Sequence, residues 1–324
     1  SVCYIQWFAM AQAPLAFLFP GQGSQSVGMG KEFADIYSIA RDTFAEADSA
    51  LGYELSKLCF EGPEDKLKLT EITQPAILTV SVAAQRVLTE KGVKPAYVAG
   101  HSLGEYSAHV CAGTLSFADA VRTVAKRGKY MQEAVPVGVG AMAAVLALGL
   151  ERLEAACSQA QQEVGGTVAP ANINSPDQIV ISGSKAAVER AAELAKEKGA
   201  KRAVMLAVSA PFHCSLMQPA QDRLAEDLRN LRFAAPTVPV ATNVDARLVK
   251  DGDAARDALI RQVTGAVQWV RSIQLLIASG VERFVEVGPG KVLTGLLRQI
   301  DRSKTGLNVE SEDSLQKTVA ALSS

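Results

Sequence analysis

A hydroxyl becomes a nucleophile when a base takes its proton and nearby N–H groups receive the charge that builds on the attacked carbonyl. One serine of this chain has surroundings suited to that. Gly100-His101-Ser102-Leu103-Gly104 has the form G-x-S-x-G, and it lies where such a motif has mechanical meaning. A short apolar run ends at Gly100, and Tyr106, Ala108, Val110 and Ala112 suit a helix packed back on that strand. The turn between them is so tight that the serine backbone is strained, and glycine on either side keeps Cβ atoms from colliding with strand and helix. The hydroxyl is then carried at a helix N-terminus, where unpaired N–H groups and the positive end of the dipole favour an oxyanion.

The base must come from three histidines. His101 adjoins the serine, and successive side chains at a strand end point apart. His109 is farther down the helix, about 10 Å along the axis, and reads as a partly exposed helix histidine. His213 remains, in the loop Ser209-Ala210-Pro211-Phe212-His213-Cys214. A distant loop histidine meeting an elbow serine is how serine catalysis on such a sheet is built, and a structural histidine is the alternative. No Asp or Glu stands out as a third member, and a backbone carbonyl could orient the histidine equally well. The histidines have no H-x-x-x-H or H-E-x-x-H spacing and the cysteines do not cluster, so no metal site is expected. Arg122, Lys126, Arg127 and Lys129 share a predicted helix over 117–134; spacing reads them as a solvated face and singles none of them out.

These residues need a frame, and the totals allow a large one. The chain has 324 residues, 48% hydrophobic and 21% charged, with a net charge of -1. That is a globular composition with no global field for nucleic acid or an anionic membrane. No membrane segment is read: the charge-free stretch 134–150 is broken by Pro136, Gly138, Gly140 and Gly149. Five scattered cysteines, never paired as C-x-x-C, point to a reducing compartment, the cytoplasm. Residues 1–9 are apolar without the basic start of a signal peptide and read as a tag or upstream extension, with Met10 a possible initiator.

Along the chain, Leu15-Ala16-Phe17-Leu18-Phe19 reads as a buried strand ending in the loop Pro20-Gly21-Gln22-Gly23-Ser24-Gln25. That loop lacks the third glycine of a dinucleotide fingerprint. Helices are expected over 31–51 and 74–90, the second with Pro75 in its first turn. From 140 the rhythm becomes strand 141–148, helix 151–164, strand 167–173, strand 178–182, helix 185–198, strand 202–206. This β-α-β-β-α-β order is that of a ferredoxin-like unit, expected as an insert. A helix over 216–231, a strand over 238–242, helices over 253–263 and 270–278, a strand over 283–287 and a helix over 292–300 return the chain to the large core. The turn Gly288-Pro289-Gly290-Lys291 lacks the spacing of a P-loop. The division expected is 10–136 with 208–310 as the core, 137–207 as the insert and 311–324 as a C-terminal tail, and the residues beyond Asp301 read as peripheral.

Six segments, in order and spanning most of the chain, carry a resemblance. They are Pro20 to Gln25, Gly100 to Ala108, Arg127-Gly128-Lys129-Tyr130-Met131-Gln132, Phe212-His213-Cys214, Val267-Gln268-Trp269 and Glu286-Val287-Gly288-Pro289-Gly290-Lys291. Together they resemble the malonyl-CoA:acyl-carrier-protein transacylases. The resemblance implies an α/β-hydrolase-like core with a parallel sheet and the ferredoxin-like insert. It implies ping-pong transfer of malonyl from malonyl-CoA to the phosphopantetheine thiol of an acyl carrier protein, with no cofactor of the enzyme's own. It makes Ser102 the nucleophile, His213 the base, Gln268 the residue whose carbonyl holds His213, and the N–H groups of Gln22 and Leu103 the oxyanion hole. Arg127 would grip the free carboxylate of malonate, His101 would support the site, and Asn172 and Asn174 would face the cleft. Phe212, before the histidine, goes with malonyl rather than methylmalonyl in related polyketide acyltransferases. The family also implies a monomer. Carrier proteins are acidic, so Lys185, Arg190, Lys196, Lys201 and Arg202 are candidates for a basic contact patch, although a solvated face accounts for most of them. A polyketide acyltransferase acting in trans and a serine esterase or thioesterase are the rival readings.

Overall fold

The computed structural model describes residues 12–324; the expectations for residues 1–9 and Met10 lie outside that range. Short apolar runs buried on both faces belong in a parallel sheet covered by helices, and β1, Leu15–Phe19, is buried at every position. The strands that follow are β2 Tyr97–Gly100, β3 Gly140–Leu146, β4 Val168–Ser175, β5 Gln178–Ser184, β6 Arg202–Met205, β7 Val240–Ala241, β8 Leu248–Val249, β9 Arg283–Val287 and β10 Thr305–Val309. They form two sheets. The larger has the order β10-β9-β1-β2-β7-β8, parallel throughout except for β8. The Pro20–Gln25 loop, the serine turn and residue 243 therefore leave the carboxyl ends of three neighbouring strands, the edge where α/β sheets place their ligands.

The smaller sheet has the order β4-β5-β3-β6 with every pairing antiparallel. Alternation along β3 decides its two faces. Ala141, Ala143 and Val145 point into a core with the helices Leu150–Val164 and Lys185–Glu197. Met142 and Ala144 point the other way, beside Val180 and Phe212. The two sheets are joined by backbone: Ile173 N–H donates to the Val267 carbonyl at 3.0 Å and Val267 N–H to the Ala171 carbonyl at 2.8 Å.

Several expectations are corrected. The helix over 31–51 is two helices, Lys31–Ile36 and Ser38–Leu51, broken at Tyr37, whose backbone is extended and whose hydroxyl donates to the Glu312 carboxylate at 2.8 Å. The next long helix starts at Thr70 rather than 74, so Pro75 lies inside it. Residues past Asp301 are no peripheral tail. β10 is the edge strand beside β9, and the helix Glu312–Leu322 buries Leu315 against the main core. His109 is fully buried rather than partly exposed; its Nδ1 meets Thr114 Oγ1 at 3.1 Å, and burial lowers its pKa to about 3.

Candidate active site

The glycines of the serine turn are required by contact distances. A Cβ on Gly100 would lie 1.8 Å from the Gly104 carbonyl oxygen, and one on Gly104 would lie 2.1 Å from the Phe19 carbonyl oxygen. Ser102 itself sits at φ 53°, in a region that costs a residue with a Cβ about 1–3 kcal/mol. Its Oγ is 2.7 Å from His213 Nε2. His213, also at positive φ, holds its Nδ1 2.9 Å from the Gln262 carbonyl and 3.2 Å from that of Gly265. Carbonyls only accept, so Nδ1 carries the proton and Nε2 is free to take the serine's. Burial, with the positive charge of Arg127 added, lowers the pKa of His213 to about 3 and keeps the ring neutral.

Gln268 does not orient His213. Its N–H donates to the Asn243 carbonyl at 2.9 Å and it begins the helix Trp269–Ala278. Gln262 takes that place for a local reason. It ends the helix Gly252–Gln262, and the last carbonyls of a helix have no partner within it.

Arg127 is 1% exposed. The helix Phe117–Glu133, started by the Ser116 hydroxyl on Asp119 N–H, buries Phe117, Ala120, Val121, Val124, Arg127, Gly128 and Met131 along one stripe. Arg122, Lys126 and Lys129 fall on the other face and are exposed. Gly128 lets the helix cross the Thr70–Glu90 helix closely, since a Cβ there would lie 2.5 Å from the Thr70 carbonyl oxygen. At that crossing Arg127 donates to Gln74 Oε1 at 2.8 Å, to Gln262 Oε1 at 2.9 Å and to Ser102 Oγ at 3.2 Å. Among the described residues no carboxylate pairs with it, and its Nε has no partner. Burial lowers its pKa, with Tyr106 and Glu105 acting against that, yet a guanidinium stays charged in a protein. A buried cation held by neutral amides and a hydroxyl is built to receive an anion.

The site opens into a cleft of about 610 Å³ between the sheets. Gln22, Gln74, Ser102, Leu103, Arg127 and Met131 line one side, and Met142, Asn172, Asn174, Val180 and residues 206–208 the other, with Phe212 and His213 between. His101 Nε2 meets Asn174 Oδ1 at 2.7 Å, its ring lies 5.4 Å from that of Trp269, and burial lowers its pKa. Among the described residues the N–H groups of Gln22 and Leu103 have no acceptor, which leaves both free for a developing oxyanion.

A serine hydroxyl on a neutral histidine, free N–H donors and a buried cation in one cleft suit acyl transfer, and comparison with known proteins bears on that chemistry. The model of the acyl transferase domain matches residues 16–319. The chain belongs to that family. It is 56% identical over 286 residues to the malonyl CoA-acyl carrier protein transacylase of Escherichia coli strain K12, covering 88% of this chain and 92% of that one. Among solved structures it is similar to an acyl carrier protein S-malonyltransferase from Vibrio cholerae, with TM-score 0.92 and 49% identity over 94% of this chain and 100% of the other. It is similar also to a malonyl-transacylase solved in complex with its type II PKS acyl-carrier protein, with TM-score 0.93 and 46% identity over 95% of this chain and 100% of that one.

In this acyl transferase, sequence reasoning passed over Gln74, Asn243 and Gln262. The signal for Gln74 was a polar residue ahead of the apolar run Pro75-Ala76-Ile77-Leu78. Arg127 could have been separated from its basic neighbours by its place on the apolar stripe with Val124 and Met131.

Proposed function

We propose that the chain transfers the malonyl group of malonyl-CoA to the phosphopantetheine thiol of acyl carrier protein through a malonyl ester of Ser102, supplying fatty-acid synthesis. His213 Nε2 takes the Ser102 proton as Oγ attacks the thioester carbonyl, and the N–H groups of Gln22 and Leu103 receive the oxyanion at a few kcal/mol of barrier per donor. Collapse breaks the C–S bond, and the departing CoA sulfur takes the proton from His213. The carrier thiol then gives its proton to His213 and attacks the serine ester, reversing the sequence. Arg127 holds the free carboxylate of the malonyl group with its planar fork.

The observation that carries this reading is the uncompensated Arg127 guanidinium at 3.2 Å from Ser102 Oγ. A simple esterase has no use for a buried cation at its nucleophile. The chemistry exchanges a thioester for an ester and back, so the enzyme needs no cofactor of its own. Support for the inferred architecture, an α/β-hydrolase-like core with a ferredoxin-like insert at 137–207, comes from the strand order and the antiparallel pairing of the smaller sheet. The core takes in the C-terminal helix as well. Asn172, Asn174 and His101 are proposed to hold the acyl group, and Phe212 to crowd an α-methyl group. For the carrier, Lys185, Lys196, Lys201 and Arg202 are exposed, whereas Arg190 is engaged by Glu163, Glu193 and Glu197 and leaves the candidate patch. A cytoplasmic monomer is proposed, on composition and resemblance.

Intact-mass spectra of the protein mixed briefly with malonyl-CoA, then with holo carrier protein, test the proposal. A malonyl adduct that is absent in Ser102→Ala and moves to the carrier is the expected result. Free malonate without carrier loading would select the hydrolase. Carriers of fatty-acid and polyketide type, offered in competition, separate those two pathways by the faster acceptor.

A further inference from the structure

The serine turn is held from outside by a side chain that touches neither the proposed base nor the cleft. Ser102 N–H donates to Asn243 Oδ1 at 2.7 Å, and Asn243 Nδ2 donates to the Gly100 carbonyl at 2.7 Å. One planar amide thus grips both sides of the turn. The same Oδ1 accepts Gln262 Nε2 at 3.1 Å, and that group also reaches the Ser102 carbonyl at 3.0 Å. Asn243 is fixed in turn by its own N–H, which donates to Glu105 Oε1, and it is fully buried. Strand register explains its placement: β7 pairs with β2 through Val98–Val240 and Ala99–Ala241, so the chain leaving β7 runs beside the turn leaving β2.

We propose that Asn243 is a positioning residue for Ser102. Its amide holds the strained turn so that Oγ stands between His213 and Arg127, and it occupies the Ser102 N–H, leaving the oxyanion to Gln22 and Leu103. This rests on the reading of Ser102 as the acylated residue. A displacement of the nucleophile by about 1 Å costs on the order of 100-fold in rate, and it costs this whichever acyl group is offered. A contact to the malonyl carboxylate would instead discriminate between donors.

Rapid-quench intact-mass kinetics with malonyl-CoA and acetyl-CoA test the role. Asn243→Ala is expected to lower the first-order acylation rate at saturating donor about 100-fold for both donors, with KM changed less than about threefold and the preference between donors kept. A rate within about threefold of wild type, a loss confined to malonyl-CoA, or a change in KM alone would overturn the proposal. Should Asn243→Ala fail to fold by circular dichroism, Asn243→Asp decides. Its protonated carboxyl can donate to the Gly100 carbonyl as the amide does, and its ionised form repels that carbonyl. The facing acid is Glu105, itself raised by burial to about 8, with Arg127, Asp245 and Arg261 in its field; at this fully buried position desolvation holds the introduced carboxyl protonated above its usual range. The variant's acylation rate should therefore approach wild type at low pH and fall as pH rises. A profile parallel to wild type would overturn the role. Absence of any adduct on wild type would remove the acyl-serine reading and this proposal together; normal wild-type acylation with an unaffected Asn243→Ala removes only the positioning role.

Discussion

Ser102 Oγ stands between two opposite demands, accepting from Arg127 and donating to His213, and each contact makes a prediction at the scale of one residue. Arg127→Ala removes charge-assisted bonds worth about 1.5–3 kcal/mol each. Acylation by malonyl-CoA should fall on the order of 100-fold or more while acylation by acetyl-CoA changes little; competition between the two donors, read by intact mass, checks it. Unchanged malonyl preference would show that the carboxylate binds elsewhere. With its pKa near 3, His213 stays neutral as pH falls from 7 to 5, so kcat/KM for acylation should show no inflection near 6.5; a pH-rate profile of the first half-reaction decides. That Ser102 meets His213 was legible because a motif and a count of three histidines left little choice. The carbonyl partner of His213 was not, because carbonyls are common to all residues and only the end of the 252–262 helix makes that of Gln262 available.

At the scale of elements, the helix crossing at Gly128 is what brings Arg127 to Gln74. Gly128→Ala places a methyl against the Thr70 backbone, and overpacking of this kind costs about 1–3 kcal/mol. Thermal melting should show that loss, together with a weakened malonyl preference, since the guanidinium rides on the displaced helix; a change in melting temperature without a change in preference would separate the crossing from the site. The strand and helix order of the smaller sheet was readable from residue patterns, since each strand there is short and alternating or apolar. The last strand and helix were misread as a tail because β10, with Thr305, Gly306 and Asn308 among its five residues, has little apolar signal. Its place is set by pairing with β9, which is tertiary information. Lys31 to Leu51 was likewise continuous in pattern, and its break falls at Tyr37, whose ring packs on Phe33 and whose hydroxyl reaches Glu312, contacts that the local pattern does not carry.

For the whole molecule, buried titratable groups set the pH range of stability. His109 and His213 have folded pKa values near 3, below the ordinary 6.5, so the unfolded chain binds more protons between those limits and stability is lost as pH falls through them. Glu105 and Glu286 are raised by burial to about 8 and about 7, so the folded chain holds more protons above 4.5 and stability is lost as pH rises towards those values. The opposing slopes overlap between 4.5 and 6.5. Urea titrations across pH should show a stability plateau there, falling on both sides; a maximum above pH 8 would contradict the burial of the two carboxyls. The backbone bonds that join Val267 to Ala171 and Ile173 bear on how such a protein diversifies. A mould whose halves share main-chain bonds cannot be widened by spreading them, so descendants that accept bulkier acyl groups should gain their room by shortening wall side chains such as Phe212, Met131 and Met142. The segment around Val267 should stay as it is in all of them.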